Sequence, residues 1–138
     1  MDVGLGDDST DWLPIQQAIS QNSRICIFDR AGYGWSDFGP APRTSNRIAQ
    51  ELEILLEEAD IPAPYILVGH SFGGYNIRIF AANNPDMVAG MVLVDASHED
   101  QYNQFKIKLP NNFNRRGTIM ILPKSTDSMA HANKPPML

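Results

Sequence analysis

Residues 65–84 constrain the fold more than any other part of the chain. Tyr65-Ile66-Leu67-Val68-Gly69 is a short apolar run that reads as a buried strand. It passes without a spacer into Gly69-His70-Ser71-Phe72-Gly73, which matches G-x-S-x-G. From Phe72 to about Asn84 the pattern is helical, and Pro85 ends it. A strand that turns directly into a helix needs a sharp bend. Residues two before and two after Ser71 must be small, because side chains there would collide with the neighbouring strand and helix. Gly69 and Gly73 fill those places, and Gly74 adds clearance.

Similar elements flank this unit. Residues 24–28 form a short apolar run followed by turn residues and read as a second buried strand, and residues 91–94 read as a third, ending at Asp95. Residues 45–59 form the clearest helix. Ile48, Leu52, Leu55, Leu56 and Ala59 fall on one face, Thr44 or Ser45 caps the start, and Pro62 and Pro64 close it. Glu51, Glu53, Glu57 and Glu58 then occupy its wet side. Residues 11–21 are expected to form a shorter helix, capped by Thr10 or Asp11, with Pro14 in the first turn. Apolar strands alternating with helices define an α/β fold, with a mostly parallel sheet covered on both faces. Beyond Ser97 the periodicity dissolves, except for a short apolar run at residues 118–122.

Composition removes several function classes. The chain has 138 residues, 43% hydrophobic and 20% charged, which is ordinary for one globular domain. A net charge of -5 disfavours nucleic acid and anionic membrane surfaces, which seek basic patches. No apolar run has the length of a membrane span, and the N-terminus lacks the features of a signal peptide, so a soluble cytoplasmic protein is the default expectation. The lone Cys26, in an apolar run, reads as a small core residue rather than a catalytic thiol. No Cys and His cluster has metal-ligand spacing. Gly4-Leu5-Gly6 and Gly32-Tyr33-Gly34 lack the third glycine of a dinucleotide site, and no phosphate-binding loop is present. No cofactor and no metal are expected.

The bend around Ser71 has chemical consequences. It lifts the serine hydroxyl above the sheet, and the following helix points its free N–H groups at the same place. The Phe72 N–H can then donate to a developing oxyanion. The competing reading, in which Ser71 merely caps a helix, is outweighed by the strand–turn–helix setting. Neighbours along a tight turn point apart, so His70 reads as a packing or hydrogen-bonding residue and not as the base for Ser71.

With these segments in view, the chain resembles the α/β-hydrolase superfamily, in particular its esterase and lipase-like group. Val3-Gly4-Leu5-Gly6 looks like the family's oxyanion loop. Residues 29–37, Asp-Arg-Ala-Gly-Tyr-Gly-Trp-Ser-Asp, are similar to its D-x-x-G-x-G-x-S loop, and residues 65–74 to its nucleophile elbow. Val92-Leu93-Val94-Asp95-Ala96 resembles its sixth strand. The resemblance implies Ser71 as nucleophile, and the backbone N–H groups of Leu5 and Phe72 as oxyanion donors. Asp29 and Arg30 would hold the glycine loop in shape. Asp95 is a candidate acid, although a structural hydrogen-bonding role is the stronger reading for it. Many relatives carry His-Gly where this chain has Val3-Gly4, a departure that leaves the backbone donor intact. The sheet order implied puts the strand at 65–69 between those at 24–28 and 91–94, or separated from the former by a short strand near Val3.

The ends depart from the family. The catalytic order is Ser, then Asp or Glu, then His. This sequence resembles an incomplete member, with residues 1–97 as a partial core and 98–138 as the start of a lid region. His98 and His131 follow Ser71 but do not stand where the family places its base. The expected activity of the full-length form is hydrolysis of a carboxylic ester or thioester, with a small-molecule acyl compound as substrate. Acyl transfer or cofactor-free peroxidation on the same scaffold stays open. So does a non-catalytic binding protein or pseudoenzyme, favoured by the missing histidine.

Overall fold

The computed structural model describes residues 1–101, 103 and 104. In chain order its elements are helix α1 (Leu13–Ile19), helix α2 (Ser45–Glu58), strand β1 (Tyr65–His70), helix α3 (Phe72–Asn83) and strand β2 (Val88–Val94). Short 3₁₀ turns precede α1 at Ser9–Trp12 and β2 at Pro85–Met87. β1 and β2 pair in parallel, with Leu67 opposite Met91 and His70 opposite Val94. On the other side of β1, Asp2 makes an isolated parallel bridge to Gly69. The Asp2 N–H donates to the Val68 carbonyl at 2.8 Å, and the His70 N–H donates to the Asp2 carbonyl at 3.1 Å. A short extended piece near Val3 therefore flanks β1.

The core lies on one face of this sheet. Ala49, Leu52 and Leu56 of α2 meet Leu67 of β1 and Ile77 and Phe80 of α3. Phe80 is completely buried and meets the Tyr65 ring edge-on, with centroids 6.4 Å apart. Thr44 caps α2, its hydroxyl accepting from the Arg47 N–H at 3.3 Å. The buried arc of α2 runs through Ile48, Ala49, Leu52 and Leu56. Leu55 and Ala59, expected on that face, are exposed instead. Leu55 stands on the margin of the arc, and Ala59 lies past the last helical residue, where the chain turns away from the core.

Four further expectations need correction. Residues 24–28 build no strand ladder. Their neighbour toward β1 is only the short piece around Asp2, and one bond joins them, from the Met1 ammonium to the Cys26 carbonyl at 2.7 Å. Cys26 is half-buried rather than a core residue. The helix expected at 11–21 is shorter: α1 starts at Leu13 with no side-chain cap, and Asp8 caps the preceding 3₁₀ turn, its carboxylate accepting from the Thr10 N–H at 2.9 Å. Finally, the sheet is covered on one face only among the described residues. On the other face Ile66 is 71% exposed, and Val92 and Val94 are exposed as well. The run at 118–122, His131 and most of the lid expected at 98–138 lie outside the described residues.

Candidate active site

β1 ends at His70 and α3 begins at Phe72, so Ser71 alone makes the bend. Its backbone sits at φ 49° and ψ -117°, in the region that disfavours any residue with a Cβ. Such a conformation costs about 1–3 kcal/mol and persists only where its surroundings over-determine it. Here three backbone bonds hold it. The Ser71 N–H donates to the Val94 carbonyl at 3.1 Å, and the Ser71 carbonyl accepts from Gly74 at 3.1 Å and from Ser97 at 2.9 Å. The glycines around it are sterically required. A Cβ on Gly69 would lie 2.6 Å from the Gly74 nitrogen, and one on Gly73 would lie 2.5 Å from the Asp2 carbonyl oxygen. One on Gly74 would strike the Ala96 side chain. The Ser71 hydroxyl makes no capping bond to α3. The serine therefore occupies the helix N-terminus without serving as its side-chain cap, and its hydroxyl stays available at the mouth of the bend.

The loop that faces this bend is held from below. Val3 is 2% exposed and Gly4 is buried, while Leu5 is 43% exposed at the crest, followed by Gly6 at φ 84°. Arg30, itself 2% exposed, reaches the loop from the segment after residues 24–28. Its guanidinium donates to the Val3 carbonyl at 2.9 Å and to the Gly4 carbonyl, and it pairs with the Asp2 carboxylate at 3.0 Å. The Asp2 carboxylate also accepts from the Val3 N–H and the Asn76 amide, each at 2.9 Å. Burial pushes the Asp2 carboxyl above its ordinary range; Arg30, Asn76, the terminal ammonium and the Val3 N–H oppose that shift. The Arg30 guanidinium also lies 4.7 Å from the Tyr33 ring and 5.4 Å from the Phe72 ring. Asp2 and Asn76 belong to no motif and were missed by sequence reasoning. The one available signal was a polar residue at position 76, on the face of α3 that also carries Ile77 and Phe80.

Asp29 shapes the glycine loop. Its carboxylate accepts from the Ser9 N–H at 2.7 Å and the Trp35 N–H at 3.0 Å, and its carbonyl accepts from the Ser36 hydroxyl at 2.7 Å. A side chain on Gly34 would run into that carboxylate, and Gly34 also sits at φ 46°.

The remaining sequence candidates lie at or just beyond the ends of β1 and β2. Asp95 stands exposed at the tip of β2 with φ 42°, between the two residues, Val94 and Ser97, whose backbones clasp Ser71. His98 has a 65% exposed side chain. Its Nδ1 accepts from the Asp100 N–H at 3.1 Å, and its Nε2 lies 3.5 Å from Glu99. His70 is half-buried with its ring against Gly4, and it lines a cavity of about 230 Å³ with Val3, Asp7, Asp11, Trp12, Ile15 and Val94. Arg78 of α3 ties down the segment after β2, donating to the Ser97 carbonyl at 2.9 Å and pairing with Glu99 at 2.8 Å.

A strained serine between a parallel strand and a helix, ringed by obligatory glycines, is the local architecture that the resemblance implied. The family model for the α/β hydrolase fold matches residues 4–130, nearly the whole chain. The chain is an α/β hydrolase. Among solved structures, this α/β hydrolase is similar to a thermophilic esterase from Thermogutta terrifontis, with TM-score 0.68 and 24% identity over 84% of this chain and 44% of that one. A hydrolase from Pseudomonas aeruginosa gives TM-score 0.64 at 21% identity, over 75% of this chain and 40% of that one. Among curated relatives, the protein YqjL of Bacillus subtilis is 37% identical over 99 residues, which are 72% of this chain and 39% of the relative. A vacuolar membrane protein of Saccharomyces cerevisiae is 38% identical over 93 residues, 67% of this chain and 14% of the relative. The chain thus spans well under half the length of these curated relatives. Among its described residues no helix is long and apolar enough to cross a membrane.

Proposed function

We propose that Ser71 is the nucleophile of a serine hydrolase that cleaves carboxylic esters or thioesters of small molecules. The observation that carries this reading is the Ser71 backbone, held at φ 49° by three bonds while its hydroxyl is left unused by the helix it precedes. A protein has no structural reason to keep a strained serine there if a relaxed cap would serve. In the reaction, Ser71 Oγ attacks the substrate carbonyl carbon and passes its proton to a base. The oxyanion so formed accepts from the Leu5 and Phe72 N–H groups. Collapse expels the alcohol or thiol, which takes up the proton, and water then hydrolyses the acyl-enzyme. Asp95 is the acid candidate in this scheme. No histidine among the described residues is assigned as base, because His98 is engaged by Glu99 and Asp100 and His70 rests against Gly4.

A fluorophosphonate probe tests the assignment. It is expected to label Ser71 slowly, at the residual rate that oxyanion donors support without an assigned base, and Ser71→Ala is expected to abolish labelling while His98→Ala leaves the rate unchanged. Labelling that survives Ser71→Ala would overturn the nucleophile. A loss of labelling in His98→Ala would make His98 the base.

A further inference from the structure

We propose that Arg30 is a positioning residue of this site, one that orients and polarises the Leu5 N–H through the carbonyl of the same peptide unit. The proposal rests on the reading of Ser71 and its oxyanion donors given above. A peptide unit is planar and trans, so its C=O and N–H point in opposite directions. The N–H of Leu5 shares its plane with the carbonyl of Gly4. Arg30 donates to that carbonyl, and also to the carbonyl of Val3 at 2.9 Å, so it fixes two consecutive peptide planes from beneath. With the Gly4 carbonyl turned down onto the guanidinium, the Leu5 N–H is turned away from it, toward the exposed crest.

Two further consequences follow. A cation bound at the carbonyl end draws charge through the amide and makes its N–H a stronger donor, as in chains of mutually polarised hydrogen bonds. The same guanidinium lies 5.4 Å from the ring of Phe72, the residue that supplies the other donor. One buried side chain therefore bonds the peptide unit of one proposed donor and stacks on the ring of the residue that supplies the other. Arginine suits this task because its planar fork presents several donors in fixed directions, whereas lysine offers a single mobile point charge. Asp2, at 3.0 Å, neutralises the charge and is itself held by Asn76 of α3, which anchors the assembly to the elbow helix.

The test uses the whole 138-residue chain. Removing Arg30 alone would strand the Asp2 carboxylate, so the main variant is the pair Arg30→Met with Asp2→Asn, which deletes both charges together. Folding is checked by circular dichroism. Two quantities are then read: the Leu5 amide resonance, and the saturation kinetics of fluorophosphonate labelling. The expected result is a folded protein whose Leu5 amide shifts more than the amides of α2. Its maximal labelling rate falls by up to about 100-fold, the scale of an ångström-sized misplacement, and its probe affinity does not change. A purely structural role would leave the rate and affinity of the folded variant alike. A folded double variant with an unmoved Leu5 amide and unchanged labelling overturns the proposal. If the double variant does not fold, Arg30→Lys reads the same two quantities with the charge retained, and an unaltered result there overturns it equally. Absence of Ser71-dependent labelling in the unsubstituted chain overturns the nucleophile reading, and the proposal falls with it. The two failures are told apart by which protein fails to label.

Discussion

At the scale of single residues, the bend works because backbone approaches backbone. Gly73 shows this most plainly: the atoms a Cβ would meet are the carbonyls of Asp2 and Val3, at 2.5 and 2.6 Å, and neither can swing aside as a side-chain tip could. Gly73→Ala must therefore push the elbow helix away from the Asp2 bridge. We expect it to destabilise the fold by about 1–3 kcal/mol, the usual range for forced overpacking, and to slow Ser71 labelling as well. Urea denaturation checks the first part, and a variant as stable as its parent would contradict the argument. Asp2 permits a second prediction. Burial raises its carboxyl pKa in the folded state, so the folded chain binds that proton more tightly than the unfolded chain does. Its contribution to stability is complete below the ordinary carboxyl range, near about 3.9, and is lost as pH rises through the raised value. Asp2→Asn should flatten the dependence of melting temperature on pH in that window. An identical pH profile for the two proteins would count against the buried carboxyl. The glycines and Ser71 were legible because the turn demands their size. Asp2 was not, because a buried carboxylate is recognised only by its partners, and Arg30 and Asn76 stand 28 and 74 residues away in sequence.

At the scale of elements, legibility followed the number of neighbours each segment has. α2, β1, α3 and β2 were readable because each carries an apolar pattern that its neighbours answer: Leu52 and Leu56 against Ile77 and Phe80, and β1 against β2 over six paired positions. Residues 24–28 carry an equally good strand pattern, yet they form no ladder, because a strand exists only through a partner and theirs is the short piece around Asp2. α1 has no buried residue, and Leu13, Ile15 and Ile19 face out. It has no side-chain cap, and Asp8 caps the 3₁₀ turn before it in place of the caps expected from sequence. The same contrast predicts where mutations bite. Phe80→Ala removes a fully buried ring from the junction of α2, α3 and β1, and should cost about 3–5 kcal/mol. Thr44→Ala removes only the cap of α2 and should cost about 1 kcal/mol. Ile19→Ala should cost far less than Phe80→Ala, because Ile19 is already exposed. Chemical denaturation of the three variants would reveal a different ordering if the core lay elsewhere.

At the scale of the whole molecule, the sheet is the feature with the largest physical consequence. α2 and α3 cover one face; among the described residues nothing comparable covers the other. The side chains of Met91, Val92, Leu93 and Val94 are 40–49% exposed, and Ile66 is 71% exposed. Side chains alternate between the faces of a strand, so Ile66, Val92 and Val94 share the uncovered face, whereas Met91 and Leu93 lie on the face of Leu67 and are exposed at the open edge. Burying such surface is worth about 25 cal/mol per Å², and monomeric soluble proteins rarely leave large contiguous patches of it in water. β2 adds a second incentive. One of its edges pairs with β1, and no described residue pairs with the other, which leaves N–H and C=O groups free to template another strand. Apolar faces and an open edge on the same strand both favour association, while a net charge of -5 spread over 138 residues opposes it only weakly. We therefore expect residues 1–138, expressed alone, to self-associate with increasing concentration in light scattering. Val92→Lys should shift the material toward monomer, by placing a charge on the open strand, without disturbing the core between α2 and α3. Ser71 labelling should persist in that variant, since the elbow contacts run through Val94 and Ser97 and not through the Val92 side chain. A chain that stays monomeric at high concentration, with the same scattering for Val92→Lys, would show that this surface is already covered.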